Sequence, residues 1–185
     1  GKTYTGKMTL EADTTIKNVN FVGTDNINYA VETRSTGVIT IQDCTAKDYG
    51  YGFLQVVSGN KITVKNVIVS DVNYGVKIDR SNGVTLENVQ INAAVAGLLN
   101  SDYAAKTITI KNSKLNILGT WKRNDTTKTT YVFEGANTVG EFKTEAALDI
   151  FKLADVNSTL TAPEGQTVTT DLTGYSVKYV DGKYV

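Results

Sequence analysis

The chain has 185 residues with 19 basic and 19 acidic side chains, so its formal net charge is zero, which argues against a nucleic-acid-binding surface. It contains no histidine and one cysteine, Cys44, which excludes histidine-based triads and metal sites, thiolate zinc clusters and internal disulfides. Thr, Val and Ile together make up about a third of the chain, a composition typical of strands. No apolar stretch approaches the roughly 18 residues of a membrane span.

A repeat of 22 to 25 residues begins near the N-terminus. Each copy has the pattern apolar-x-apolar-x-Asn (or Asp)-x-x-apolar, as in KITVKNVIV from Lys61 and TITIKNSKL from Thr107. A second landmark, a small residue before an apolar pair, returns with nearly the same period from Ala30 to Gly119. The polar residue at the turn of each copy is Asn18, Asp43, Asn66, Asn88 and Asn112.

Each copy is long enough for three short strands, with a turn at the Asn. Stacked coils would lie about 4.8 Å apart, with equivalent apolar residues inside and the five turn residues forming a structural ladder of hydrogen-bonding side chains. Cys44 aligns with Val19, Val67 and Val89 and is expected in the core. The period therefore predicts a parallel β-solenoid rather than a sandwich or a helical repeat.

The segment 61–91, KITVKNVIVSDVNYGVKIDRSNGVTLENVQI, resembles the repeat of the right-handed parallel β-helix in the pectin-lyase-like superfamily. The resemblance covers about residues 14–120. It implies an all-β, right-handed, single-stranded parallel β-helix of about five coils with a small C-terminal strand and helix cap. Because the motif residues are structural, the resemblance implies a fold and not an activity.

After Trp121 the period fades, and we predict that 1–121 forms the coils and 122–185 a capping region of the same domain. Segment 141–156 contains the best helix formers of the chain and predicts a helix of two or three turns starting at Thr144. Asp181-Gly182, between alternating apolar residues, predicts a terminal hairpin. The tail is loosely similar to modular surface proteins of Gram-positive and gut bacteria, which implies an extracellular or cell-surface fragment of a longer protein.

Two loop residues and their neighbour on the next coil are the candidates for catalysis. Asp79 and Arg80 lie one period before Asp102, so the two carboxylates could share a Ca²⁺ or form an acid–base pair. They could equally begin polar loops and hydrogen-bond their own backbone. Asp48 and Asp71 form an equivalent pair. The catalytic motifs of polygalacturonase-like enzymes do not occur. Pectate-lyase-like enzymes need several carboxylates for Ca²⁺ and an arginine base, for which Asp79, Arg80 and Asp102 are the best local cluster. We predict no bound metal or cofactor.

A periodic set of tyrosines is the candidate binding feature. Tyr29, Tyr51 and Tyr74 occupy the same predicted coil position, and Trp121 and Tyr103 lie near the same region of later coils. Rings about 5 Å apart could stack on the sugars of a glycan, or they could pack as a ladder at a corner of the coil. Rings more than about nine-tenths buried would contradict the glycan interpretation.

The sequence as a whole favours a non-catalytic extracellular β-helix module of a bacterial surface protein. Its expected partners are a glycan or a host or surface protein, with no nucleic acid and no membrane-spanning segment. The alternative is a lyase or hydrolase acting on an acidic polysaccharide, with Asp79, Arg80 and Asp102 as the candidate residues.

Overall fold

A computed structural model describes residues 1–101, 106–121, 129–144, 149–161, 167–168, 179–180 and 183–184. These residues contain strands and turns and no helix. The strands are Lys2–Tyr4 (β1), Met8–Leu10 (β2), Thr14–Lys17 (β3), Val19–Val22 (β4), Tyr29–Arg34 (β5), Val38–Lys47 (β6), Gly52–Ser58 (β7), Lys61–Ile78 (β8), Val84–Glu87 (β9), Gln90–Asn100 (β10), Lys106–Lys111 (β11), Lys114–Thr120 (β12), Thr129–Glu134 (β13), Ala136–Thr144 (β14), Ile150–Leu153 (β15), Thr159–Thr161 (β16), Thr167–Val168 (β17), Tyr179–Val180 (β18) and Lys183–Tyr184 (β19).

The strands stack into three parallel ladders that the chain visits in turn, giving about six turns of a β-solenoid. Ladder A contains β3, the starts of β6 and β8, then β9, β11, β13 and β15. Ladder B contains β1, β4, later parts of β6 and β8, the starts of β10, β12 and β14, and β16. Ladder C contains β2, β5, β7 and the ends of β8, β10, β12 and β14. The predicted stack of parallel coils is confirmed.

The core consists of columns of apolar side chains, each from the same position of successive coils. In ladder A the strand register aligns one such column, and its members are all buried: Ile16, Ile41, Val64, Leu86, Ile110, Phe133 and Leu153. Burying an apolar side chain of this size contributes roughly 1.5–3 kcal/mol relative to leaving it exposed. The alternation of each IxI motif therefore fixes which face of the strand points inward.

The turn between ladders A and B repeats with the same backbone conformation. All five predicted turn residues, from Asn18 to Asn112, have φ between 47° and 57°, a left-handed region that Asn and Asp tolerate better than most side chains. Asn66 Nδ2 donates to Asp43 Oδ1 and Asn88 Nδ2 donates to Asn66 Oδ1, both at 2.8 Å. Gly135, with φ of 69°, continues the row one coil further, where the Asn pattern alone did not reach.

The residue at the first position of ladder B is apolar in the earlier coils and polar in the later ones. It is apolar at Cys44, Val67 and Val89, which are buried, as expected for Cys44. In the next two coils it is Ser113 and then Asn137, which are also buried. The Val89 amide donates to Ser113 Oγ at 3.1 Å, and the Ser113 amide donates to Asn137 Oδ1 at 2.9 Å. The polar side chains thus hydrogen-bond the backbone of the preceding coil.

The parallel stacking extends past residue 121. Strands β13 and β15 continue ladder A, and β14 and β16 continue ladder B. The predicted helix is wrong where the structure describes that segment, because residues 141–144 end β14 and 150–153 form β15; residues 145–148 lie outside the described residues. Pairing of β15 with β13 buries Phe151 and Leu153, and this packing overrides the helix propensity of the segment. Strands β18 and β19 pair antiparallel.

Candidate functional site

The outer face of ladder C carries a row of polar side chains on three successive coils. The strand register places Glu32 opposite Gln55, and Gln55 opposite Lys77. Gln55 connects two coils, since its Nε2 donates to Asp79 Oδ2 at 2.7 Å, and within the later coil Lys77 Nζ lies 3.0 Å from Asp79 Oδ1. The sequence interpretation missed Glu32, Gln55 and Lys77, although their spacing of 23 and 22 residues equals the repeat period.

The three tyrosines come together at the start of the same strands, but not in the predicted register. Tyr29 and Tyr74 both lie opposite Gly52, and Tyr51 precedes that glycine by one residue. A Cβ atom at position 52 would lie 2.6 Å from Tyr29 Cε1 and 2.6 Å from the Tyr74 carbonyl oxygen. Gly52 is therefore required by the close approach of the Tyr29 ring to the backbone.

The rings are in mutual contact, with different exposures. The centroids of Tyr29 and Tyr51 lie 5.3 Å apart with planes at 67°, and those of Tyr51 and Tyr74 lie 5.0 Å apart at 38°. Tyr29 is only 4% exposed, Tyr74 is half-buried and Tyr51 is 41% exposed. By the burial criterion set above, Tyr29 does not belong to an exposed aromatic row, whereas Tyr51 and Tyr74 form a tilted pair at the surface.

Of the other two aromatic candidates, Trp121 belongs to the residues that the structure describes. Trp121 is exposed, but it follows the end of β12, and its amide donates to the Asn100 carbonyl at the far end of the ladder C strands. Tyr103 lies outside the described residues. Among the described candidates, Tyr51 and Tyr74 therefore form the aromatic surface at the start of the ladder C strands.

Asp79 is the best-placed candidate carboxylate, and its oxygens are occupied by neighbouring side chains. In addition to Gln55 and Lys77, Ser101 Oγ donates to Asp79 Oδ1 at 2.9 Å. Burial raises the pKa of Asp79, but the hydrogen bonds from Gln55, Lys77 and Ser101 outweigh burial and hold the pKa below its usual value. Arg80 is exposed, and Asp102 lies outside the described residues, so the pairing of Asp79 with Asp102 stays a prediction.

Glu32 is a second carboxylate with its charge compensated. It is buried, and it pairs with Lys7 Nζ at 3.4 Å and with the Arg34 guanidinium. Burial raises the pKa of Glu32, while the hydrogen bonds and charges of Arg34 and Lys7 lower it by more. The carboxylate is therefore ionised and paired on both sides.

The second acidic pair, Asp48 and Asp71, lies at turns with a left-handed backbone conformation. Asp48 and Asp71 have φ of 61° and 53°, and Ser70 Oγ donates to Asp71 Oδ2 at 2.8 Å. Lys47 Nζ lies 3.4 Å from Asp48 Oδ2. Within the described part of the chain, no group of three His, Cys, Asp or Glu side chains is placed to hold a metal ion.

Three parallel ladders with an Asn turn define a protein of the parallel β-helix class. The family model described as "right handed beta helix region" matches residues 7–139, which is well over half of the chain. The chain therefore belongs to the right-handed β-helix family, as the resemblance of the 61–91 segment predicted. No curated protein and no solved structure matches it.

Replacing Asp79 by asparagine should reduce the acid sensitivity of the fold. Because the folded-state pKa is lowered, the stability contributed by this carboxylate is complete above its unfolded value near 3.9 and is lost as the pH falls through the folded value. The melting temperature of Asp79→Asn should therefore fall less between pH 7 and pH 3 than that of the wild type. Gln55→Ala, which removes one donor, should show an intermediate change. Identical curves for all three proteins would contradict this role of Asp79.

Proposed function

We propose that the chain is a non-catalytic β-helix module that binds carbohydrate on the outer face of ladder C. The observation that carries this proposal is the exposed Tyr51 ring, paired with Tyr74 at the start of the ladder C strands, with the hydrogen-bonded Gln55 and Asp79 toward the other end of these strands. An aromatic ring offers an apolar face to the C–H face of a sugar, while planar amide and carboxylate groups hydrogen-bond its hydroxyls. This combination suits a sugar better than a protein interface, which buries larger apolar areas.

The contacts that neighbouring side chains make with Asp79 favour a binding role over catalysis. Gln55, Lys77 and Ser101 all contact the oxygens of this carboxylate, which leaves it poorly placed to accept a proton from a substrate.

We place the module at the cell surface of a bacterium, where it would serve adhesion. The support is the similarity of the tail to modular surface proteins. The described residues contain no helix with the length and apolar character of a membrane span.

Tyr51→Ala is the direct test of the binding surface. The variant should bind an immobilised glycan roughly 3- to 10-fold more weakly, because a stacked aromatic ring contributes about 0.5–1.5 kcal/mol. Its melting temperature should change little, since the side chain is 41% exposed. The measurement is binding to xylan, mannan, cello-oligosaccharides and polygalacturonate by calorimetry or biolayer interferometry.

Ile68→Ala is the matched control, because Ile68 is an exposed apolar residue, 55% accessible, on ladder B. It should leave glycan binding unchanged. Equal losses in the two variants, or no binding by the wild type to any of the four polysaccharides, would reject the proposal. Release of unsaturated oligosaccharides from polygalacturonate or alginate would instead support the lyase alternative.

A further inference from the structure

The Tyr29 hydroxyl is a buried polar group without a visible role in the fold. Its oxygen is inaccessible to solvent, and it has no hydrogen-bond partner among the residues that the structure describes. Native proteins satisfy the great majority of such groups, since a buried hydroxyl left without a partner destabilises the folded state. A phenylalanine at position 29 would keep the ring contacts and avoid this cost. The hydroxyl therefore calls for an explanation outside the packing of the fold.

The position of Tyr29 links it to the proposed binding surface. Its ring packs edge to face against Tyr51, which is itself exposed. Burial raises the pKa of the Tyr29 hydroxyl far above the usual value, and the neighbouring Tyr51, Asp79, Tyr74 and Glu32 raise it further. Tyr29 is therefore a neutral phenol at all physiological pH values, and it is able both to donate and to accept a hydrogen bond.

We infer that the Tyr29 hydroxyl is the buried polar contact of the glycan site and hydrogen-bonds a hydroxyl group of the neutral sugar that stacks on the Tyr51 ring. This inference rests on the proposed carbohydrate-binding function. The exposed Tyr51 ring lies beside Gly52, and exposed side chains change rotamer on a picosecond to nanosecond timescale. A small rotation of this ring would give a ligand access to the hydroxyl next to it.

The charges around Tyr29 favour a neutral sugar over a uronic acid. Glu32 is paired with Lys7 and Arg34, and Asp79 is paired with Lys77. The cations nearest to the tyrosines thus already have carboxylate partners. A uronate placed at Tyr29 would have to compete with Glu32 and Asp79 for these cations, which would break ion pairs that the fold already makes. A neutral hydroxyl group has no such penalty.

Tyr29→Phe tests this inference because it predicts effects of opposite sign on stability and binding. The variant should be as stable as the wild type or melt at a higher temperature, since a buried unpaired hydroxyl is removed. Its affinity for the neutral glycan that binds the wild type best, among xylan, mannan and cello-oligosaccharides, should fall roughly 3- to 10-fold. Tyr49→Phe is the matched control, because it removes a buried tyrosine hydroxyl that donates to the Gly6 carbonyl outside the proposed site; it should keep the wild-type affinity and lower the melting temperature.

The outcomes separate this inference from the proposed function. If Tyr51→Ala loses binding while Tyr29→Phe binds as the wild type does, the site is real and the role of Tyr29 is wrong. A lower melting temperature for Tyr29→Phe would also overturn the inference, because the hydroxyl would then have a structural partner. Tighter binding of polygalacturonate than of any neutral glycan would overturn its neutral-sugar part. Failure of the wild type to bind any glycan rejects both the function and the inference.

Discussion

Phe53→Ala should destabilise the protein by about 3–5 kcal/mol, the usual cost of truncating a fully buried phenylalanine. Phe53 is completely inaccessible to solvent, and its ring lies 6.1 Å from that of Phe21. The coils above and below are joined to its strand by regular hydrogen bonds, so the backbone has little freedom to close the cavity. Because folded domains are stable by only about 5–15 kcal/mol, this single change should be visible in urea unfolding.

Tyr51→Ala is a control for this prediction, since Tyr51 is two residues away and faces solvent. It should cost far less stability than Phe53→Ala. If the two variants unfold at the same urea concentration, the burial of Phe53 is not what stabilises the fold. Phe53→Leu, which restores much of the lost volume, should recover part of the stability.

Asn88→Ala should cost about 1–3 kcal/mol through two separable effects. Alanine at φ of 51° is disfavoured by roughly 1–2 kcal/mol, and the amide that donates to Asn66 Oδ1 is lost. Because Asn88 is exposed, water can replace part of the lost hydrogen bond, which limits the second effect. The measurement is the free energy of unfolding in urea.

Asn88→Gly separates the two effects, because glycine adopts a positive φ without strain. The glycine variant should be more stable than the alanine variant by roughly 1 kcal/mol. Equal stability of the two variants would show that the backbone conformation is not what selects Asn at this turn. An unchanged melting temperature in both would show that the side-chain ladder does not contribute to stability.

The ladders were predictable because their signal repeats. An Asn at a left-handed turn, followed by alternating apolar residues, returns often enough that five copies reinforce one another. The repeat is no longer recognisable where the residue types change. Gly135 replaces the Asn at the turn, and the position after the turn is occupied by Ser113 and Asn137. The predicted helix is wrong at Ile150–Leu153, because local helix propensity is the only remaining signal there, whereas pairing with β13 decides the structure.

The candidate site was predictable in composition but not in detail. The spacing of Tyr29, Tyr51 and Tyr74 suggested one aligned row, but the connection from ladder B to ladder C differs in length between coils. It runs seven positions from Val22 to Tyr29 and five from Lys47 to Gly52. A periodic pattern cannot show such a difference, because shortening one loop and lengthening another leaves the total period nearly unchanged. The burial of Tyr29 and the exposure of Tyr51 follow from this offset.

At the position after the ladder A turn, valine in the earlier coils is replaced by serine and asparagine in the later ones. The later coils therefore cannot be copied or deleted without losing hydrogen bonds. The coil that contains Val67 has buried apolar residues at this position in both neighbouring coils, so duplicating it by recombination would insert a compatible unit. Ser113 and Asn137 instead each accept a hydrogen bond from one particular neighbour, and a copied or deleted coil there would leave an amide unmatched. Lengthening of this protein by coil duplication is therefore expected in its N-terminal half, while the C-terminal half keeps a fixed number of coils.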